Sequence, residues 1–200
     1  MVASYQVRQA CIFDLIMGWA HRDLGEWNSL RKLFHSDGTI EVTWFEGQFS
    51  NFVDASMRMG ASDLRTKHFI ESPTVTYCGD RAVAETNVTI VAENIRLGVG
   101  CSEQTRFHDL IEQRNGEWKI VTRRCIYDMG TITFPHGAVA VDTAVIQKYP
   151  PEYAALAYVL ERSGFPVARV FPTKGSDQEK AIQTSARSWL LRSSSRTAKI

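Results

Sequence analysis

The stretch Cys11–Gly47, CIFDLIMGWAHRDLGEWNSLRKLFHSDGTIEVTWFEG, reads as a helix, a break, a second helix and then a strand. Ile12, Leu15, Ile16 and Trp19 recur at helical spacing and turn one stripe toward a core. Trp27, Leu30, Leu33 and Phe34 do the same, after Gly25 and Glu26 have opened the second helix. Between the two stripes lies an ionisable pair, Arg22-Asp23, where the first helix ends against apolar surface. A carboxylate so placed is either a helix-end or turn residue or a functional acid, and its position leaves both readings open.

Downstream, Ser36-Asp37-Gly38 makes a turn and Thr39–Phe45 is β-branched and aromatic enough for a strand, ended by Glu46-Gly47. A short helix is expected from about Ser50 to Gly60. Strands follow over Arg65–Ile70, Thr74–Tyr77 and Ala82–Ala92, the last two joined by a turn at Cys78–Arg81. Thr105–Gln113 alternates, with Phe107 and Ile111 on one face and Arg106, His108 and Leu110 on the other. Asn115-Gly116 signals a tight turn into a last strong strand, Trp118–Ile126. Helices come before a mainly antiparallel, hairpin-linked sheet, so the fold class is α+β, with the helices packed on one face.

Beyond Tyr127 the pattern changes. Phe134–Gly137 reads as coil, and Pro150-Pro151 suits the first turn of a helix over Glu152–Glu161. Tyr153, Leu156, Ala157 and Leu160 form its apolar stripe, and Gly164-Phe165-Pro166 ends it. A final helix, about Gln178–Leu191, offers Ile182, Ala186, Trp189 and Leu190. Such stripes need a partner surface, so this segment is expected to dock, leaving only Ser193–Ile200 as a flexible tail.

Composition narrows the function. Two hundred residues with 44% hydrophobic and 22% charged content fit one domain with an appended segment and a sizeable core. A net charge of +1 supplies no broad field for nucleic acid, although Glu161–Ile200 carries eight Lys/Arg against three Asp/Glu. No apolar run approaches the roughly 20 residues of a membrane helix. Polar Gln6, Arg8 and Gln9 stand where a signal peptide would stay apolar, so a cytoplasmic protein is expected. Cys11, Cys78, Cys101 and Cys125 are scattered, with no CxxC and no histidine pair at zinc spacing. They read as reduced thiols, and neither a metal nor a cofactor is expected.

The residues also carry a resemblance. The aromatic-rich turn with Asp23, the Trp27 that follows, Leu30-xx-Leu33-Phe34, and Thr66-Lys67-His68 resemble the SnoaL-like, nuclear-transport-factor-two-like superfamily. So does the closing strand, Gly116–Ile120 followed by Arg123–Asp128. The likeness spans residues about 5 to 130. It implies a conical α+β barrel over 1–132 whose curved sheet encloses one pocket, with 133–192 as a helical extension docked on the barrel or a neighbouring subunit. It further implies a homo-oligomer, dimer or trimer. The superfamily holds scytalone dehydratase, hexachlorocyclohexane dehydrochlorinase, ketosteroid isomerase and polyketide cyclases. It also holds non-catalytic transport factors and dioxygenase β-subunits, so the fold alone does not decide among them.

The dehydratase-like members use an Asp–His dyad, and its two positions are filled here. Asp23 lies seven residues before Leu30 of the second helix, and His68 opens the strand after the third helix. Arg123 matches the pocket arginine of the dehydrochlorinase-like members when counted from Trp118, and strand alternation sends Arg124 to the other face. Trp19, Trp44 and Phe69 are candidates to line a pocket for a ring-bearing ligand, with His108 and Tyr127 as further lining residues, and each suits an ordinary core as well.

The chemistry gives these residue types a purpose. Proton removal beside a carbonyl or leaving group needs a base titrating near neutrality, which imidazole supplies. A carboxylate on its other nitrogen fixes the tautomer and steadies the imidazolium as it forms, and a cation steadies the resulting anion. The expected function is a cofactor-independent lyase or isomerase acting on a small hydrophobic, cyclic molecule. His68 is its base, Asp23 its orienter and Arg123 its electrostatic stabiliser. Two alternatives stand beside it, a catalytically silent ligand-binding or accessory subunit and a polyketide or terpenoid cyclase.

Overall fold

The computed structural model describes residues 2–192. The flexible tail expected at 193–200 lies outside them. Helix α1 (Val2–Met17) buries Ile12, Leu15 and Ile16 and stops at Gly18. A Cβ at Gly18 would meet Leu33 Cδ2 at 2.6 Å and the Asp14 and Leu15 carbonyls at 3.2 Å, so a side chain there would have to displace Leu33. Two short helices follow, α2 (Ala20–Asp23) and α3 (Trp27–Arg31). The sequence suggested a single helix ending at Asp23. Instead the chain breaks at Gly18 and Trp19 and restarts for one turn.

The sheet contains β1 (Phe34–Val42), β2 (Phe45–Gln48), β3 (Leu64–Ile70), β4 (Thr74–Cys78), β5 (Arg81–Asn94), β6 (Val99–Arg114) and β7 (Glu117–Thr133). Helix α4 (Phe49–Gly60) runs between β2 and β3. Strand order is β2-β1-β7-β6-β5-β3, with β4 also on β5. Every pairing is antiparallel except β1 with β7, which is parallel. Ser36-Asp37-Gly38 does not precede the strand. It is a bulge inside β1, between the Phe34 and Thr39 pairings to β7. Asn115 and Gly116 both take positive φ, 53° and 84°, as a tight β6–β7 turn requires. Strand β7 runs seven residues past the expected end at Ile126.

Strands β5, β6 and β7 curl around a core of Ala82, Ala84, Phe107, Ile111, Ile120 and Tyr127, against which α1 and α4 pack. Three more helices follow: α5 (Thr143–Ile146), α6 (Ala154–Arg162) and α7 (Asp177–Leu191). Helix α6 is buried along Ala154–Leu160 and meets β5, β6 and β7. Helix α7, capped by the Ser176 hydroxyl accepting from Glu179 N–H, lies against β4 and β5. Between these helices, Thr173 pairs with Tyr127, joining the C-terminal segment to β7. None of the described helices is long and apolar enough to cross a membrane.

Candidate active site

Asp23 ends α2, and the turn beyond it explains where its side chain goes. Gly25 takes φ 71° and Glu26 N–H returns to His21 O at 2.8 Å, which closes the helix and turns the chain away. The Asp23 carboxylate reaches β3. Along that strand burial alternates, with Thr66 and His68 turned inward and Lys67 and Phe69 turned out. Asp23 Oδ2 accepts the His68 backbone N–H at 2.6 Å, and Oδ1 accepts from Nδ1 at 2.8 Å. A carboxylate only accepts, so Nδ1 carries the proton and the Nε2 lone pair is left as the basic site.

Both side chains are almost fully enclosed, at 1% exposure for Asp23 and 7% for His68. Burial pushes the Asp23 carboxyl up, but the His68 bonds and the Arg22 charge outweigh it and hold the group below its ordinary value. Burial dominates at His68 and lowers its pKa, with the Asp23 bond opposing. The pair is therefore a neutral imidazole against an ionised carboxylate at neutral pH.

His68 faces a cavity whose walls include Trp19, Trp44, Phe107, Tyr127, Leu156 and Leu160. The free space is about 40 Å³. One water needs roughly 10–15 Å³ of such space, so the cavity as it stands is sized for a few waters. Leu156 and Leu160 come from α6, so admitting a larger molecule requires α6 or the aromatic wall to shift. Tyr127 is held in place by Thr43, its hydroxyl accepting from the Thr43 N–H at 3.0 Å. Arg22 lines the same cavity and also an outer cleft of about 410 Å³ bounded by α2, α4 and β3. Its Nη1 donates to Thr66 Oγ1 at 2.8 Å and its Nη2 contacts Met59 Sδ at 3.4 Å.

Three expected site residues lie elsewhere. Phe69 is 57% exposed on the outer face, because it follows His68 on a strand and neighbours on a strand face opposite ways. The same rule separates His108 from Phe107. His108 sits on the outer side of the sheet, in a groove under α7 with Gln183 and Arg187. Arg123 does point inward, but two of its three guanidinium nitrogens are already engaged, and Nη1 is buried without a partner among the described residues. Nε and Nη2 donate to Asp109 at 2.8 and 2.7 Å, both residues with no exposed side-chain surface. Trp19 and Phe107 cover its faces at 4.6 and 4.1 Å and stand between it and the cavity. Arg124 pairs outside with Glu41.

The sequence reading missed Arg22 as a wall residue, Asp109 as the partner of Arg123, and Leu156 and Leu160 as part of the cavity. Asp109 carried a signal, since it shares the inward set of β6 with Phe107 and Ile111. Among the described residues no group of three or more His, Cys, Asp or Glu could hold a metal ion.

Residues 9–124 match the SnoaL-like domain model, and the chain belongs to that family. Its nuclear-transport-factor-two-like fold recurs in a hexachlorocyclohexane dehydrochlorinase, LinA-type3, from Novosphingobium barchaimii. That structure has a TM-score of 0.61 and 14% identity over 71% of this chain and 99% of that one. A Novosphingobium aromaticivorans protein provisionally named a scytalone dehydratase gives 0.58 and 16%, over 71% and 96%. At such identities the likeness is one of fold. A protein of unassigned function from Aspergillus terreus is 29% identical over 171 residues, which cover 74% of this chain and 63% of that relative.

Proposed function

We propose that this protein is a cofactor-independent lyase or isomerase that removes a proton from a small hydrophobic, cyclic molecule. The observation that carries the reading is the pair of hydrogen bonds His68 donates to Asp23, which leaves Nε2 basic at the wall of an apolar cavity. Neutral imidazole takes the proton, and the imidazolium that results is paired at once with Asp23. The aromatic and aliphatic walls keep water from competing and strengthen that pair. Enzymes of the same fold perform dehydration and dehydrochlorination, which begin with or include proton removal, and this supports the class of reaction. We further propose that residues 1–132 form the reacting barrel and 133–192 an extension that closes its cavity.

The test is turnover by His68→Ala against wild type, on a panel of enolisable, dehydratable and dehydrohalogenatable ring compounds. The expected result is turnover by wild type and loss of at least about a hundredfold in the variant, the scale of a missing general base. Ligand affinity should stay within about tenfold, since the imidazole acts mainly in the transition state. Undiminished turnover by His68→Ala would overturn the mechanism. A wild type inert on the whole panel, yet binding its compounds, would favour the silent-subunit reading.

A further inference from the structure

Resting on that reading, we propose that Arg22 is the cation that stabilises negative charge as it develops on the substrate. Arg123, the arginine expected in that part, is neutralised by two short bonds to Asp109 and sealed behind Trp19 and Phe107. Arg22 differs in how loosely its charge is held and in where it lies, since its carboxylate partner is farther away and it borders the cavity. Its recorded partners are one hydroxyl, Thr66 Oγ1 at 2.8 Å, and one thioether, Met59 Sδ at 3.4 Å, a weak acceptor. The Asp23 carboxylate stands at 3.5 Å, with both oxygens already taken by His68 at 2.6 and 2.8 Å. A guanidinium has five N–H donors, so this buried cation keeps donor capacity, and it borders the cavity that His68 also borders.

Arg22, Met59 and Thr66 line both the inner cavity and the outer cleft, and so form the partition between them. The Ser56 hydroxyl, which lines the cleft side, is buried without a partner among the described residues. Polar groups thus gather at this wall, while the rest of the cavity is mostly apolar apart from the buried Trp19 Nε1–H, which has no partner among the described residues.

Charge bookkeeping then selects the substrate class. In the resting site Arg22 and Asp23 cancel and His68 is neutral. A neutral ketone loses a C–H proton to Nε2, the C–H electron pair forms a new C=C bond, and the C=O π pair moves onto oxygen. The imidazolium faces Asp23 and the enolate oxygen faces Arg22, so each new charge has an opposite beside it. Return of the proton to a second carbon completes an isomerisation. Loss of a β-hydroxyl together with that proton, as water, completes a dehydration. Neither route needs an oxidant or a reductant. A substrate already carrying a carboxylate would leave one negative charge unmatched throughout, so the site fits a neutral carbonyl compound.

Azide is the probe, a three-atom anion whose infrared stretch reports its surroundings without turnover. Wild type should bind it saturably with a shifted band. Arg22→Met should weaken binding at least about tenfold, the scale of a lost charged hydrogen bond, and Arg22→Lys should restore part of it. His68→Ala should still bind, so loss of turnover with azide retained separates failure of the base from failure of this proposal. On any neutral ketone that is turned over, Arg22→Lys should lower kcat more than it changes KM. Absence of saturable azide binding by wild type would overturn the proposal even if Arg22→Met failed to fold. Binding unchanged in Arg22→Met would do the same.

Discussion

The Asp23 carboxylate receives both polar hydrogens of His68, the imidazole Nδ1–H at 2.8 Å and the backbone N–H at 2.6 Å. One side chain therefore sets the tautomer of the ring and the position of the strand that carries it. In Asp23→Asn one oxygen becomes an NH2 group, and one of the two bonds becomes a clash of donors. Turnover should fall by about a hundredfold or more. Folding stability should fall by roughly 1–3 kcal/mol for the unsatisfied buried group. Kinetics and urea titration would measure the two losses, and a variant as active and as stable as wild type would refute the clamp.

The pH response follows from burial of the same ring. Burial lowers His68 below 6.5, with Asp23 opposing, so the free base persists as pH falls through that value. The acid limb of kcat/KM should therefore lie below pH 6.5. The unfolded imidazole protonates near 6.5 while the folded one does not, so the unfolded state binds more protons and stability falls as pH drops below that value. His68→Gln should remove this part of the pH dependence of stability. An acid limb above 6.5 would contradict the lowered pKa.

Arg123 and Asp109 are fully buried partners, and removing one strands the other. Arg123→Met or Asp109→Leu alone should cost about 3–5 kcal/mol, while the double variant should recover most of the loss. Denaturant midpoints for the four proteins in this cycle decide it. Additive costs would mean that the two charges act separately.

Glu103 is a further buried carboxyl. Both of its oxygens lack a partner among the described residues, and Oε2 lies 2.1 Å from where a Cβ on Gly130 would stand. Burial, with the nearby Asp128 charge, pushes its pKa up to about 9 from 4.5. Between these values the folded chain holds a proton that the unfolded chain has released. Stability should therefore fall as pH rises through that window and level off above it. Glu103→Gln should flatten the decline and stabilise the protein at pH 8 by on the order of a few kcal/mol. A pH–stability curve identical in the two proteins would show that Glu103 finds water or a partner.

Periodicity in the sequence located most strands and the inward faces of β3 and β6, since a side-chain period of two survives in the residue types. The contact between Asp23 and His68, 45 residues apart, came only with the resemblance. Phe69 could have been rejected beforehand, because the alternation that turns His68 inward turns its neighbour out. The partner of Arg123 was hidden for a different reason. Counting back from the Asn115-Gly116 turn pairs Arg123 with His108. A bulge between the Leu110 and Ile111 pairings shifts the register and sets Arg123 opposite Asp109. The added length of β7 was equally hidden, since Asp128 and Gly130 interrupt its apolar pattern and the strand is continued by backbone pairing with β6.

The placement of α6 has a consequence for biosynthesis. The concave surface is assembled from residues up to Thr133, yet the wall contributed by Leu156 and Leu160 is translated only after it. A nascent chain thus holds a finished sheet with a wet, apolar hollow until those residues clear the ribosome exit tunnel, a period in which chaperones or aggregation compete for it. A chain ending at Tyr149 should reproduce that arrested state and bind a hydrophobic dye that the full chain excludes. A truncation that stays dye-silent would mean that the barrel closes without its last helices.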